Sequence, residues 1–313
     1  MKVGIMEIRN VESFLKITEL GQFSKAAEAL GYAQSTVTAQ IHQLEEDLGA
    51  PLFARSNTSV KLTEFGRAFL PLARKMHNLS AQMSAMAAKQ EDVSGDLRIG
   101  CIESLYYSGF LNLLPDFARR FPKVTLEFFT SSSMELHQML LDNRVDLILG
   151  LVQPIDYSQL EVVFQSACDV VFAAGLGNPL AGKTDVSLEE IAAQPLIMTE
   201  EVSIYHQELH RLFTKEGLKL THRFRMQSSR AIKELARAMN GVCFLPRYAL
   251  QKDVDRGRLA VLDTAFPTMT TEVVSVMRKE DWHSPQMRAV VSMFRDGGWL
   301  LPRAPEEDKS TER

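Results

Sequence analysis

At 313 residues the chain is too long for one ordinary hydrophobic core, so two or three domains are expected. Its 45% hydrophobic and 24% charged residues fit a soluble globular protein, and a formal net charge of −4 excludes a chain coated in positive charge while leaving room for a local basic surface. Met1 to Asn10 lack the apolar run of a secretory signal, and no stretch is long and apolar enough to span a bilayer, which points to the cytoplasm and away from a membrane.

The first sixty or so residues read as short helices. Ile8, Val11, Phe14 and Leu15 form a helical apolar stripe, which Gly21-Gln22-Phe23 interrupts. Ser24 is placed to cap a second, alanine-rich helix over Lys25 to Leu30. After a turn at Gly31-Tyr32, a third helix is expected from Gln34 to Leu48, with Val37, Ile41, Leu44 and Leu48 on one face, Gly49 as its stop and Pro51 following. Leu52 to Leu62, polar at its centre from Arg55 to Thr58, reads as a short β-ribbon or wing. Thr63 can then cap a new helix whose positive end suits Glu64.

That helix carries the clearest periodicity in the chain. Phe65, Phe69, Leu72, Met76, Leu79, Met83 and Met86 are spaced alternately four and three apart, the seam of a coiled coil. Phe69, Leu72, Met76, Leu79 and Met83 are therefore the expected dimerisation residues, and Pro71 should kink or loosen the helix. From Ser94-Gly95 onward strand and helix patterns alternate. Leu97 to Cys101, Val124 to Phe129 and Asp146 to Leu151 read as strands, with helices around Leu113 to Phe121 and over Met134 to Leu141. This order implies a parallel sheet. Val162 to Phe164 and Val170 to Phe172 read as two further strands, followed by helices at Leu188 to Ala193, Gln207 to Gly217 and Ala231 to Asn240, and a strand over Val242 to Leu245. Two α/β lobes with a cleft between them make a natural ligand pocket.

The organisation expected is α/β: a winged helix-turn-helix over 1–62 (all-α with a β-wing), a linker helix over 63–92 and a two-lobed sensor over 93–302. Lobe I takes about 93–161 and 267–302, lobe II about 162–266, and 303–313 form a disordered tail. Cys101, Cys168 and Cys243 lie far apart without metal-ligand spacing and read as buried free thiols.

Ser24-Lys25-Ala26-Ala27-Glu28-Ala29-Leu30, Gln34 to Thr38, Ile41 to Gly49, Pro51 to Arg55 and Leu62-Thr63-Glu64-Phe65-Gly66 closely resemble the N-terminal signature of the LysR-type transcriptional regulators. Val145-Asp146-Leu147, Asn178-Pro179-Leu180-Ala181, Gly241 to Pro246 and Gly257-Arg258-Leu259 are similar, more loosely, to the family's sensor lobes, so the resemblance spans about 6 to 300. It implies a periplasmic-binding-protein-like sensor and a regulator that binds double-stranded promoter DNA as a homodimer or homotetramer. It also implies a small-molecule effector between the lobes, RNA polymerase as a further partner, and no cofactor.

On that resemblance the start of the third helix enters the major groove, which assigns base-edge contacts to Gln34, Ser35, Thr36 and Thr38, with Gln40 further along. The family commonly carries a basic residue where this chain has Ala39, and Ala33 to Gln43 holds no Lys, Arg, Asp or Glu. Attraction to the backbone must come from elsewhere. Between Ala50 and Lys75 there are five basic residues against one acid, and Arg55 and Lys61 flank the wing as phosphate contacts.

Ligands of such sheets lie beyond the carboxyl ends of the strands, at helix N-termini. That places Ile102, Glu103, Ser104, Ser132 and Ser133 on one wall of the effector cleft and Val202, Ser203, Gln227 and Ser228 on the other. Amides and hydroxyls there favour an anionic group, against which Glu103 cuts. Ser133 and Ser228 have helix capping as a simpler role. The alternative function is a two-lobed binding protein without DNA binding, for which 1–92 would be superfluous. An enzyme lacks support, since no phosphate loop, HExxH pair or nucleophile elbow occurs, and His206 and His210, four apart, read as surface residues.

Overall fold

The computed structural model describes residues 6–54, 60–87, 93–152, 156–201, 203–279 and 282–298. It divides into two compact units, one of residues 1–92 with 141–144 and one of the remainder.

In the first unit, α1 (Ile8–Leu20), α2 (Phe23–Leu30) and α3 (Gln34–Leu48) precede a two-stranded ribbon of β1 (Phe53–Ala54) and β2 (Lys61–Leu62) and the long α4 (Glu64–Ala87). The apolar faces of the three short helices converge. Val11, Phe14 and Ile17 meet Ala26, Ala27, Val37, Ile41 and Leu44, with Leu52 closing the core. Gly49 ends α3 in the left-handed conformation that glycine adopts without strain, as expected. Ser24 does not cap α2: the helix starts two residues earlier than expected, at Phe23, whose ring packs on Phe53, and no side chain caps it. Thr63 does cap α4, its hydroxyl accepting from the Gly66 amide at 2.8 Å and donating to the Pro51 carbonyl at 2.7 Å. A β-carbon on Gly66 would lie 2.2 Å from the Leu52 carbonyl oxygen, so only glycine lets α4 start this close to the wing.

The seam of α4 is split. Phe69 is buried 5.3 Å from the Phe14 ring and so is not available to a partner helix, while Met76 is half-buried against the same core. The reason is geometric: Phe69, Ala73 and Met76 recur at helical spacing on the face turned to α1, and a hydrophobic module this small needs that cover. Leu72, Leu79 and Met83 remain exposed, as does Phe65. The helix runs through Pro71 without ending.

The second unit begins with β3 (Ser94–Cys101), α5 (Glu103–Tyr106), a 3-10 turn at Gly109–Leu113, α6 (Leu114–Arg120), β4 (Lys123–Thr130), α7 (Ser133–Leu141) and β5 (Leu147–Leu151). It continues with β6 (Leu160–Gly175), α8 (Leu188–Ala192), β7 (Leu196–Met198), α9 (Ile204–Lys215), β8 (Phe224–Arg225) and α10 (Ser229–Ala238). β9 (Val242–Pro246), α11 (Arg247–Asp255), β10 (Leu259–Val261), β11 (Met269–Arg278) and α12 (Pro285–Asp296) complete it. One nine-stranded sheet runs β4-β3-β5-β11-β6-β9-β7-β8, with β10 also on β6.

The strands at each end of the sheet are parallel, as the alternating pattern predicts, but the centre is not. β6 and β11 are antiparallel to each other over ten residue pairs and join the two parallel sets. The two strands expected at Val162 to Phe164 and Val170 to Phe172 are therefore one, sixteen residues long. Nothing between them breaks it, because Gln165, Ser166 and Ala167 all pair with β11. The β6–β11 ribbon belongs to both lobes: its Leu160 end sits beside β5, its Gly175 end beside β9 and β10.

Lobe I is tied by Asp146, at the mouth of β5. It accepts from the Arg98 backbone amide at 2.9 Å and from the guanidinium at 3.1 and 2.6 Å, with Arg278 3.7 Å away. The three cysteines are buried and free, as expected, and burial raises each thiol, Cys168 and Cys243 to about 12. His206 corrects an expectation. It is buried, with Nδ1 3.0 Å from the Thr199 carbonyl, because it shares the inward face of α9 with Tyr205 and Leu209. Among the described residues no group of His, Cys, Asp or Glu is placed to hold a metal ion, and no helix is long and apolar enough to cross a membrane.

Candidate DNA interface and ligand site

α3 buries Val37, Ile41 and Leu44 and leaves Gln34, Ser35 and Thr36 exposed in its first turn. No side chain caps that turn and no acid lies in it, so the positive end of the helix dipole is left uncompensated there. Thr38 is half-buried and its hydroxyl donates to the Gln34 carbonyl at 2.9 Å. Gln40 departs from the expectation. Its Oε1 accepts from Ser13 at 2.6 Å, and Ser13 is fully buried in α1. An unbonded hydroxyl there would be destabilising, so Gln40 is a strut between helices rather than an outward reader.

The wing is fixed by a residue whose part the sequence did not reveal. Glu45, on α3, accepts from the Leu52 and Phe53 amides at 2.7 and 3.3 Å, holding the start of β1 against α3. Lys61 is exposed on β2, and Arg67 donates to the Leu62 carbonyl at 2.9 Å. Arg55 lies outside the described residues.

In the second unit the expected cleft residues fall into separate groups. Glu103, the first residue of α5 in lobe I, reaches the N-terminus of α10 in lobe II. One carboxylate oxygen accepts from the Ser228 hydroxyl at 2.8 Å, the other from the Ser229 amide at 3.0 Å and from the Ser229 hydroxyl. Ser228 also caps α10 by accepting from the Ala231 amide, so it both caps and binds. Ser104 hydrogen-bonds the Tyr248 hydroxyl at 3.1 Å, both groups buried. Ile102 and Ser133 converge over Gly150, where a β-carbon would lie 3.8 Å from each side chain.

Other expected wall residues are spent elsewhere. Ser132, not Ser133, caps α7, accepting from the Glu135 amide at 3.3 Å. Gln227 is exposed and donates to Glu200 at 3.0 Å within lobe II. Ser203 stands at the N-cap of α9 without a side-chain cap bond, and Val202 lies outside the described residues.

A cavity of about 790 Å³ lies in lobe II, between α9 and the segment leading into β11, and none of the nine expected residues lines it. Its walls include Phe172, Leu209, Leu212, Phe244 and Phe266, and Arg247 supplies a cation. The Arg247 Nε is buried without a hydrogen-bond partner, and its ion-pair partner Asp169 is 3.8 Å away. The volume suits a small organic molecule. Sequence patterning missed it because its lining comes from β6, α9, β9 and a loop that share no motif.

Comparison with known proteins agrees with this geometry. The profile described as "Bacterial regulatory helix-turn-helix protein, lysR family" matches residues 8–67, and "LysR substrate binding domain" matches 90–299. The chain is 28% identical over 295 residues to the HTH-type transcriptional regulator YwqM of Bacillus subtilis, covering 93% of this chain and 99% of the relative. It is 29% identical over 266 residues to the RuBisCO operon transcriptional regulator of Allochromatium vinosum, covering 84% and 87%. Among solved structures, a full-length OxyR variant from Pseudomonas aeruginosa shares the fold with a TM-score of 0.73 at 19% identity, covering 94% of this chain and 95% of that one. CbnR in complex with its target DNA aligns with a TM-score of 0.64 at 23% identity, covering 93% and 99%. With both of its halves matched in this way, the chain belongs to the LysR family of DNA-binding transcriptional regulators.

Proposed function

We propose that the chain regulates transcription by laying the first turn of α3 in the major groove of promoter DNA, as a homodimer or homotetramer joined through α4, and that a small-molecule effector bound in its two-lobed half modulates this. The observation that carries the reading is the exposed, uncharged start of α3, held on a module whose three short helices pack their apolar faces together. Gln34 is the base reader, through the bidentate pairing an amide makes with adenine, with Ser35, Thr36 and Thr38 beside it. Lys61 and Arg55 address phosphates. With so few cations per module, the salt dependence of binding scales with the number of protomers engaged. No cofactor besides the effector is required, and RNA polymerase is the further partner of such a regulator.

Gln34→Ala is expected to weaken retardation of a duplex from the protein's own or a neighbouring promoter by about tenfold or more. Unchanged retardation would reject α3 as the reader. For the assembly, Leu79→Asp places a charge on the exposed apolar stripe and should convert dimers to monomers in light scattering. Dimers that persist would remove the role given to α4. The effector's place is supported by the cavity beside Arg247, whose aromatic walls suit an apolar body and whose Arg247, Glu208 and Asp263 offer polar anchors of both signs.

A further inference from the structure

We propose that Glu103 is a resident anion, which fills the N-terminus of α10 with the protein's own carboxylate, latches lobe I to lobe II and excludes an effector's carboxylate from that point. The inference rests on the sensor reading of the second unit and assigns a specificity-determining residue within it.

The geometry has three parts. The α10 N-terminus is equipped for an anion, with an outward backbone amide at Ser229 and hydroxyls at Ser228 and Ser229. Glu103 takes all three, with both carboxylate oxygens engaged, so a ligand's acceptor would have to displace it from these donors. The donors and the acceptor stand on opposite lobes, 125 and 126 residues apart in sequence. Two neighbouring contacts cross in the same place: Ser104 to Tyr248, and Lys252 Nζ to the Ser108 carbonyl at 3.2 Å. The α5 segment is thus fastened to α10 and α11 by polar bonds that can form only when the lobes are close. A ligand carboxylate must look elsewhere. At the latch, a ligand bearing a donor such as an ammonium or hydroxyl would compete for Glu103 itself.

The test uses full-length protein, amide hydrogen exchange and acetate, with chloride as the control anion. In Glu103→Ala, amides from Ser229 to Ile232 should exchange about tenfold faster than in the wild type, together with those of Glu103 to Ser108 across the cleft. Acetate should restore protection at α10 in that variant and leave the wild type unchanged. Glu103→Gln, which keeps the shape and loses the charge, should show the same two-sided acceleration to a smaller degree, and serves if the alanine variant does not fold. Exchange that rises only in α5, or acetate that protects wild-type α10 equally, overturns the proposal. Promoter retardation by wild-type protein is scored separately, so failure of the latch and failure of the regulator assignment are distinct results.

Discussion

Phe69→Ala should unfold the N-terminal module while leaving the proposed dimer intact. The side chain is 7% exposed and packs on Phe14, whose own ring lies 5.4 Å from Phe53. Removing a phenyl ring from such a core destabilises by about 3–5 kcal/mol, from lost burial plus the cavity left behind. A core built from about a dozen residues has little more stability than that in total. Promoter retardation should vanish, and helical ellipticity should fall in a separate early transition. The expectation runs against the heptad pattern, in which Phe69 belongs to the dimer seam. Leu72, Leu79 and Met83 remain exposed to carry that seam, so the mass from light scattering should stay dimeric. A monomeric variant with a normal first transition would show that Phe69 faces a partner after all.

The second large effect is expected at Asp146. Its carboxylate answers the Arg98 guanidinium through both oxygens and the Arg98 amide besides, with Arg278 nearby. The side chains of Asp146, Arg98 and Arg278 are 19%, 25% and 11% exposed, so solvent screens them only in part. Asp146→Ala leaves two cations facing each other at the root of β5, at a cost of about 3 kcal/mol. For a sensor of this size that lowers the melting midpoint by roughly 6–12 °C. Differential scanning calorimetry would read it in the sensor transition, with the DNA-binding module unaffected. A shift of under a degree would mean the network contributes nothing net. Asp146→Asn, which retains hydrogen-bonding capacity, should fall between the two.

The sequence disclosed most where local chemistry decides the structure. The third helix was legible because Val37, Ile41 and Leu44 repeat at helical spacing and Gly49 stops them. The alternation of strands and helices after Ser94 was legible for the same reason. What stayed hidden depends on long-range partners. Gln40 and Glu45 look like any polar residues on a helix until Ser13 and the Leu52 amide appear beside them. Phe69 carries the same heptad signal whether it meets its own α1 or another chain. At the candidate ligand site, strand ends pointed to the neighbourhood of Glu103 and Ser228 but not to their bond with each other, and the Arg247 cavity left no pattern at all. Periodicity reports which face is apolar and is silent on what covers it.

The continuous β6–β11 ribbon has a mechanical consequence. Two side-by-side strands, hydrogen-bonded from Met269 with Val170 to Arg278 with Leu160, are the covalent passages linking the sensor's halves. A paired ribbon flexes readily out of its plane and resists shear within it. One irregularity in its register, between Ser275 and Val276, gives the bend a natural place to start. Any opening or shutting of the two halves would therefore bend this ribbon, like a book turning on its spine.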